Sequence, residues 1–148
     1  NYFSKVISQI PHLSDNDLLV IGSLMEKEGL DSLDKKQIYS VIANRLEKKM
    51  KLQIDATVIY AITNGKYNLN RPLNLKDLKY YHPYNTYIIN GLPPNPISYV
   101  GTKTIDIILE NYKSDNLFYF YNSTLGKHIF SKDYENHRSK LNEYRKNK

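Results

Sequence analysis

The segment "SDNDLLVIGSLMEKEG" (residues 14–29) restricts the possible folds most, because it carries both a helix start and a helix stop. Ser14 and Asp17 have the spacing of a capping box, in which each side chain bonds the other residue's backbone N–H. Apolar residues then recur at helical spacing until Gly29, which is suited to a left-handed C-terminal cap. The sequence predicts a helix over residues 15–28.

The rest of the chain alternates between helical patterns and β-branched or aromatic runs. Helical spacing predicts helices over 34–49, 104–112 and 134–144 and a helical turn over 75–78, whereas "DATVIYAIT" (55–63) fits either a helix or a strand. "TYII" (86–89) is typical of a strand, and "GLPPNPIS" (91–98) of a loop fixed by its prolines. "NLFYFYNS" and "KHIFS" predict two strands joined by a turn at Leu125 and Gly126. Helices followed by strands indicate an α+β fold, a single domain over 1–148 with helices packed on a small antiparallel sheet.

Composition excludes several kinds of chemistry. The 148 residues include no cysteine, so neither disulfides nor a thiol nucleophile is available. The sequence has no HExxH motif, no P-loop and no G-x-S-x-G elbow, and we therefore expect neither a metal nor a cofactor. The net charge of +6 favours polyanionic surroundings, such as nucleic acid, anionic lipid or an acidic wall polymer.

Two glutamates close the first helix, and the helical wheel separates them. With about 100° per residue, Glu28 falls within roughly 20° of the centre of the apolar face, whereas Glu26 lies about 140° away. Burial and the negative end of the helix dipole both raise the pKa of a carboxyl group. A general acid working near neutral pH needs such a raised pKa, so Glu28 is the candidate catalytic acid.

A set of motifs supports the same residue. In order along the chain they are "EKEG" (26–29), "NRL" (44–46), "LQIDATVIYA" (52–61), "YNTY" (84–87), "GLPPNPI" (91–97), "FYFYN" (118–122) and "HIFS" (128–131). Over roughly residues 17–140 the chain resembles the MltG/YceG-like family of membrane-anchored endolytic murein transglycosylases. Aligned on the E-K-E motif, Glu28 stands where the family has its catalytic glutamate.

The resemblance implies an enzyme of the bacterial cell envelope, at the outer face of the cytoplasmic membrane. It implies cleavage of the β-1,4 bond between N-acetylmuramic acid and N-acetylglucosamine in peptidoglycan glycan strands, leaving 1,6-anhydro ends and needing no cofactor. Penicillin-binding synthases are the expected protein partners, and no nucleic acid is expected. Because the chain begins at Asn1 rather than Met, we expect that a membrane anchor and an accessory domain precede it.

We expect "HPYNTY" (82–87) and "GLPP" (91–94) to form walls of the substrate cleft. Tyrosine rings can lie against sugar faces, and Asn85 and Thr86 could bond hydroxyl and acetamido groups. His128 is either a substrate contact or a structural histidine of its strand. The full set expected to support Glu28 or to bind substrate is Glu26, Gln53, Asp55, Thr57, Tyr84, Asn85, Thr86, Tyr87, Pro93, Pro94 and His128.

Two alternative functions remain open at this stage. If Asp55 faces Glu28, the pair could perform the two-carboxylate hydrolysis of a muramidase. If instead Asp55 caps the segment that follows it, it should bond the backbone near Thr57, and one carboxyl would suffice. The second alternative is a basic, tyrosine-rich module that binds nucleic acid or glycan without turnover and depends steeply on salt.

Overall fold

The computed structural model describes residues 13–147, which form six helices and one two-stranded antiparallel sheet. In chain order the elements are α1 (Asp15–Glu28), α2 (Ser32–Glu47), α3 (Asp55–Thr63), α4 (Leu75–Leu78), α5 (Thr102–Glu110), β1 (Phe118–Asn122), β2 (Lys127–Ser131) and α6 (Tyr134–Lys146). The α+β prediction is confirmed. The prediction of one domain over 1–148 extends to residues 1–12 and 148, which lie outside the described part.

Three helices, α1, α2 and α5, pack against one another and form the main core. The largest fully buried side chains of this core are Ile21, Leu24, Met25, Ile38, Ile42 and Ile108. Each such side chain contributes roughly 1.5–3 kcal/mol when it leaves water. The core therefore fixes α1 firmly, and with it the position of the helix end that carries Glu28.

The hairpin of β1 and β2 is attached to this core through Arg45 of α2. The Arg45 Nε donates to the carbonyl of Leu117 at 2.7 Å, and Nη1 donates to the carbonyl of Lys51 at 2.8 Å. Its guanidinium carbon lies 5.0 Å from the centre of the Phe118 ring. One buried arginine thus joins the start of β1 to the segment that leads into α3.

The register of the hairpin decides which side chains share a face. Tyr119 pairs with Phe130, and Tyr121 pairs with His128. Because alternate residues of a strand point to the same face, these four side chains lie on one side of the sheet. The opposite face packs on α6, where the Phe118 ring stacks on His137 at 5.2 Å.

The structure corrects the prediction for Gly29. Its φ and ψ are −83° and 148°, an extended conformation rather than the left-handed one expected of it. Glycine is required here by space, because a Cβ would lie 2.3 Å from Cγ of Lys35 and 2.9 Å from the Met25 carbonyl oxygen. The close approach of α2 to the end of α1 selects the glycine.

Segment 86–89 is not a strand, so that prediction is wrong. The backbone N–H groups of Ile88 and Ile89 both donate to the Asn85 carbonyl at 3.0 Å, which makes a turn.

The ambiguous segment 55–63 is the helix α3. Helices α2 and α5 each begin two residues before the predicted start, and α6 ends two residues after the predicted end. Among the described residues, no helix is both long and apolar enough to cross a membrane.

Candidate active site

Glu28 is the last residue of α1, and its side chain is half-buried beneath the hairpin. The Tyr119 hydroxyl donates a hydrogen bond to Glu28 Oε1 at 2.7 Å. Burial raises the pKa of the Glu28 carboxyl, the Tyr119 hydrogen bond partly offsets this, and the negative charge of Asp55 raises it again. Glu28 therefore holds its proton to a higher pH than an exposed glutamate, as a general acid must.

Tyr119 is the residue that orients this acid. Burial and the neighbouring Glu28 carboxylate raise the pKa of Tyr119 well above its ordinary value, so the phenol stays protonated and acts as a donor. The single hydroxyl proton of Tyr119 forms its hydrogen bond with Glu28 Oε1, whereas Glu28 Oε2 has no hydrogen-bond partner among residues 13–147. Oε2 is thus the oxygen free to exchange a proton with a substrate.

Asp55 is the second carboxyl group of the site and is the first residue of α3. The alternative in which Asp55 caps the segment that follows it and bonds the backbone near Thr57 is wrong, because the first turn of α3 has no side-chain cap. The Asp55 carboxylate instead accepts a hydrogen bond from the Tyr87 hydroxyl. Burial and that carboxylate both raise the pKa of Tyr87. Two tyrosine–carboxylate pairs therefore stand in one site.

Two grooves meet at Glu28 and Asp55, because both residues line each of them. The first, which we call the aromatic groove, has a volume of about 400 Å³. Its remaining lining includes Tyr87, Phe118, Tyr119, Tyr121, His128 and Tyr134. The second, the lysine groove, has a volume of about 620 Å³, and its lining includes Lys27, Tyr60, Lys66, Tyr67 and Asn68. The two carboxyls lie at the junction of a longer channel.

Gln53, Asp55, Tyr87 and His128 are the predicted supporting residues that line this channel with Glu28. Gln53 is exposed and has φ +51°, a left-handed conformation unusual for glutamine. Its N–H is held by the carbonyl of Thr86 at 3.2 Å. The sequence motif around 52–57 therefore turns sharply before α3 so that Gln53 and Asp55 both face the groove.

Asn85 and Thr86 were expected to bond the substrate, and this is wrong because both side chains are 0% exposed. The Asn85 amide donates to the carbonyls of Leu78 and Tyr80 at 3.0 and 2.8 Å. The Thr86 hydroxyl lies 2.8 Å from the buried Thr57 hydroxyl. Asn85, Thr86 and Thr57 therefore do not face the grooves but hold α3 and the segment that carries Tyr87 in place.

Tyr84, Pro93 and Pro94 do not line either groove. Tyr84 packs on the Tyr60 ring, with 4.8 Å between ring centres. Pro93 is buried, and the Pro94 carbonyl accepts a hydrogen bond from the Asn16 amide at 2.7 Å. This proline loop is therefore a brace for the start of α1 rather than a wall of the cleft.

Glu26 does not join Glu28 in the grooves. Its carboxylate forms an ion pair with Lys35 and accepts hydrogen bonds from the Gly101 N–H at 2.9 Å and the Thr104 hydroxyl at 2.9 Å. Burial raises its pKa, but the hydrogen bonds from Lys35 and Gly101 outweigh that effect and lower it overall. Glu26 ties α1 to α2 and α5, a supporting role in the framework.

Sequence reasoning missed three residues of the site: Tyr119, Arg45 and Asp34. Tyr119 could have been found from strand alternation in "FYFYN", which puts it on the same face as Tyr121. Asp34 Oδ2 accepts a hydrogen bond from His128 Nδ1 at 2.8 Å, 94 positions away in the sequence, and no local pattern signals such a pair. Within residues 13–147 no three histidine or acidic side chains form a group that could hold a metal ion.

The model of the YceG-like family matches residues 3–143. The chain belongs to the YceG-like family. It is 39% identical over 132 residues to an endolytic murein transglycosylase of Bacillus subtilis, covering 89% of this chain and 35% of the relative. It is 36% identical over 139 residues to an endolytic murein transglycosylase of Streptococcus pneumoniae, covering 92% of this chain and 24% of the relative.

A solved YceG-like protein has the same fold. The crystal structure of that protein from Listeria monocytogenes superposes with a TM-score of 0.82 at 39% identity, covering 93% of this chain and 43% of the other. The chain thus spans about a third or less of the length of the curated relatives it matches. The family prediction is confirmed on both sequence and structure.

Proposed function

We propose that this YceG-like chain is the catalytic part of an endolytic murein transglycosylase, as its relatives in Bacillus subtilis and Streptococcus pneumoniae are named. The observation that carries the proposal is the Glu28 carboxyl, oriented by Tyr119 at the junction of two grooves. The substrate is a peptidoglycan glycan strand, and the bond cleaved joins N-acetylmuramic acid to N-acetylglucosamine. The aromatic groove holds the sugars on one side of that bond, and the lysine groove holds those on the other side.

In the proposed reaction, the proton on Glu28 passes to the glycosidic oxygen as the bond from that oxygen to the muramyl C1 breaks. The muramyl C6 hydroxyl then attacks C1 of the same sugar, and its proton passes to the Glu28 carboxylate. The products are a 1,6-anhydro end and a free C4 hydroxyl, and no water is consumed. Because the nucleophile belongs to the substrate, one protein carboxyl can serve as acid and then as base.

The position of Glu28 at the groove junction supports cleavage within a strand rather than at its end. A strand that follows both grooves would leave its sugars on either side of the carboxyl. Tyrosine and phenylalanine rings of the aromatic groove offer apolar faces to pyranose rings.

The test is to digest purified glycan strands with wild type, Glu28→Gln and Glu26→Gln, and to resolve the new ends by mass spectrometry. Glutamine keeps the shape of Glu28 and still accepts the Tyr119 hydrogen bond, but it has no proton to give. We expect anhydro ends from wild type and a loss of roughly 10²–10⁴-fold in the Glu28 variant. The Glu26 variant should retain turnover, and the converse pattern would refute the assignment.

A two-carboxylate muramidase is the second candidate, and one observation favours it. Asp55 lines both grooves together with Glu28, and its charge raises the Glu28 pKa. A hydrolase would leave reducing ends and would fail without Asp55. The Asp55→Asn variant, analysed on the same strands, separates the two: anhydro ends that persist at reduced rate support the transglycosylase.

We further propose that the protein acts in the bacterial cell envelope, at the outer face of the cytoplasmic membrane, next to penicillin-binding synthases. The support is the family membership together with the wall polymer named in the relatives' activity. Crosslinking of the whole protein in cells, with and without synthases, tests that placement. The placement would be refuted if the protein crosslinks to no synthase and is not labelled by a probe confined to the periplasmic or extracellular side.

A further inference from the structure

His128 on β2 is a buried histidine that the proposed reaction leaves unused. Its Nδ1 lies 2.8 Å from Asp34 Oδ2, and the two side chains are only 7% and 11% exposed. Its Nε2 has no hydrogen-bond partner among residues 13–147, yet it is not sealed from solvent. His128 lines the aromatic groove together with Glu28, and because Asp34 occupies Nδ1, Nε2 is the ring nitrogen left for a group bound in that groove.

Asp34 fixes which nitrogen of His128 carries the proton. Asp34 is held in place by the turn between α1 and α2, because the Leu30 N–H donates to Asp34 Oδ2 at 2.9 Å and the Asp34 N–H donates to Asp31 Oδ1 at 2.8 Å. A carboxylate can only accept, so Nδ1 of His128 is the donor of this hydrogen bond. In the neutral form of the imidazole, Nε2 is then a hydrogen-bond acceptor.

The plane of the His128 ring is fixed as well. Tyr119 meets it edge to face at 5.3 Å and 87°, and Tyr121 meets it at 5.5 Å and 66°. Tyr119 is the same residue that bonds Glu28, so the imidazole and the catalytic carboxyl contact one common side chain. Nε2 is thus a ring nitrogen with a fixed direction and, among residues 13–147, no protein partner, so it is available to a ligand in the aromatic groove.

We propose that Asp34 and His128 form a sugar-binding pair, in which His128 Nε2 accepts a hydrogen bond from a hydroxyl or an acetamido N–H of the bound strand. His128 is thus a substrate-binding residue and Asp34 is a positioning residue that acts through it. The identity of the strand rests on the proposed function above. The polarity of the contact rests only on the geometry of the pair.

The test uses two replacements that each keep one half of the imidazole. Asparagine at 128 places an amide near the position of Nδ1 and keeps the Asp34 contact, but leaves nothing at Nε2. Glutamine reaches the position of Nε2 and keeps an acceptor there. Binding of glycan strands is measured by titration in the Glu28→Gln background, where no cleavage occurs, with His82→Asn as the control outside both grooves.

We expect His128→Asn to weaken binding roughly three- to tenfold, as the loss of one hydrogen bond predicts, and His128→Gln to stay within about twofold. The His82 control should bind as the parent does. A purely structural histidine would give the reverse, with asparagine tolerated and glutamine damaging. Equal binding in the His128→Asn variant and its parent overturns the proposal.

Asp34→Ala tests the positioning role without touching His128. Asp34 Oδ2 accepts from both the Leu30 N–H and His128 Nδ1, so alanine removes the acceptor that holds the proton on Nδ1 and leaves either ring nitrogen able to carry it. We expect a loss of strand affinity similar to that of His128→Asn, with melting temperatures checked to confirm folding. Unchanged affinity in a folded Asp34→Ala variant would refute the role of Asp34.

Deacetylated strands distinguish the two donors. If the penalty of His128→Asn disappears on deacetylated strands, the partner is the acetamido N–H, and if it persists, the partner is a hydroxyl. Binding and cleavage are read separately, so the two proposals can fail independently. A wild type that releases no anhydro ends refutes the transglycosylase, whereas intact binding in His128→Asn refutes only the sugar-binding pair.

Discussion

At the scale of single residues, the Glu28 carboxyl has a cost in stability. Burial raises its pKa in the folded protein. Glu28 therefore costs no stability below the pKa that it has in the unfolded chain. The cost grows as pH rises and is complete above the pKa that Glu28 has in the folded protein. We expect Glu28→Gln to melt at a higher temperature than wild type at pH 8, by roughly 2–4 °C for each kcal/mol relieved, and at the same temperature near pH 4. Thermal denaturation at the two pH values measures this.

The matched control is Glu47→Gln, since Glu47 also ends a helix but is exposed. That variant removes a negative charge from the end of the α2 dipole, an effect of a few tenths of a kcal/mol at the surface. If Glu28→Gln raises the melting temperature at pH 8 no more than Glu47→Gln does, burial of the Glu28 carboxylate has no cost in stability.

Tyr119→Phe should change the pH profile. The phenol stabilises the Glu28 carboxylate and so lowers its pKa. Without the hydroxyl the Glu28 pKa rises further, and the fall of kcat/KM at alkaline pH moves upward. The rate itself should drop about tenfold, because the carboxyl is less well oriented. The profile of Tyr121→Phe should keep the wild-type limb, since that hydroxyl does not bond Glu28; an unmoved limb in Tyr119→Phe would contradict the orienting role.

At the scale of the elements, Glu26 joins three helices at the end of α1. Its Gly101 contact serves the start of α5, which has no side-chain cap of its own. We expect Glu26→Ala to lower the free energy of unfolding by about 1–3 kcal/mol, the usual cost of removing a charged hydrogen-bonding group. Chemical denaturation gives the value, with exposed Lys27→Ala as the control.

The pH dependence of the Glu26 contribution is opposite in sign to that of Glu28. The folded pKa of Glu26 is lowered. Its stabilisation is therefore present above the unfolded pKa and is lost as pH falls through the folded pKa. The Glu26→Ala penalty should shrink on acidification, and a penalty that grows toward acid would contradict the ion pair with Lys35.

At the scale of the whole molecule, we expect activity to depend on strand length. If a strand follows both grooves, as proposed, short oligosaccharides cannot fill both of them at once. We expect kcat/KM to rise with strand length until both grooves are filled, and early digests to contain products of intermediate length. Mass spectrometry of a time course measures this, and release of single disaccharides from the first minutes would refute internal cleavage.

The sequence by itself determined the elements whose signals are local. The capping box of α1 is formed as predicted, with Ser14 and Asp17 each bonding the other's backbone. The wheel put Glu28 on the core side and Lys27 outside it, and the structure agrees because α1 is regular to its last turn. The two strands around Gly126 were also found, since alternation and turn chemistry act over a few residues.

Only the tertiary structure decided which residues surround Glu28. Tyr119 is 91 positions from Glu28, Asp34 is 94 from His128, and Tyr87 is 32 from Asp55. None of these pairs follows from local spacing, because each depends on how α1, α2, α3 and the hairpin pack. The same packing replaced the expected left-handed Gly29 with an extended one and turned segment 86–89 away from a strand. Local signals specify elements, whereas the partners of a buried polar group are chosen by the packing that removes water from it.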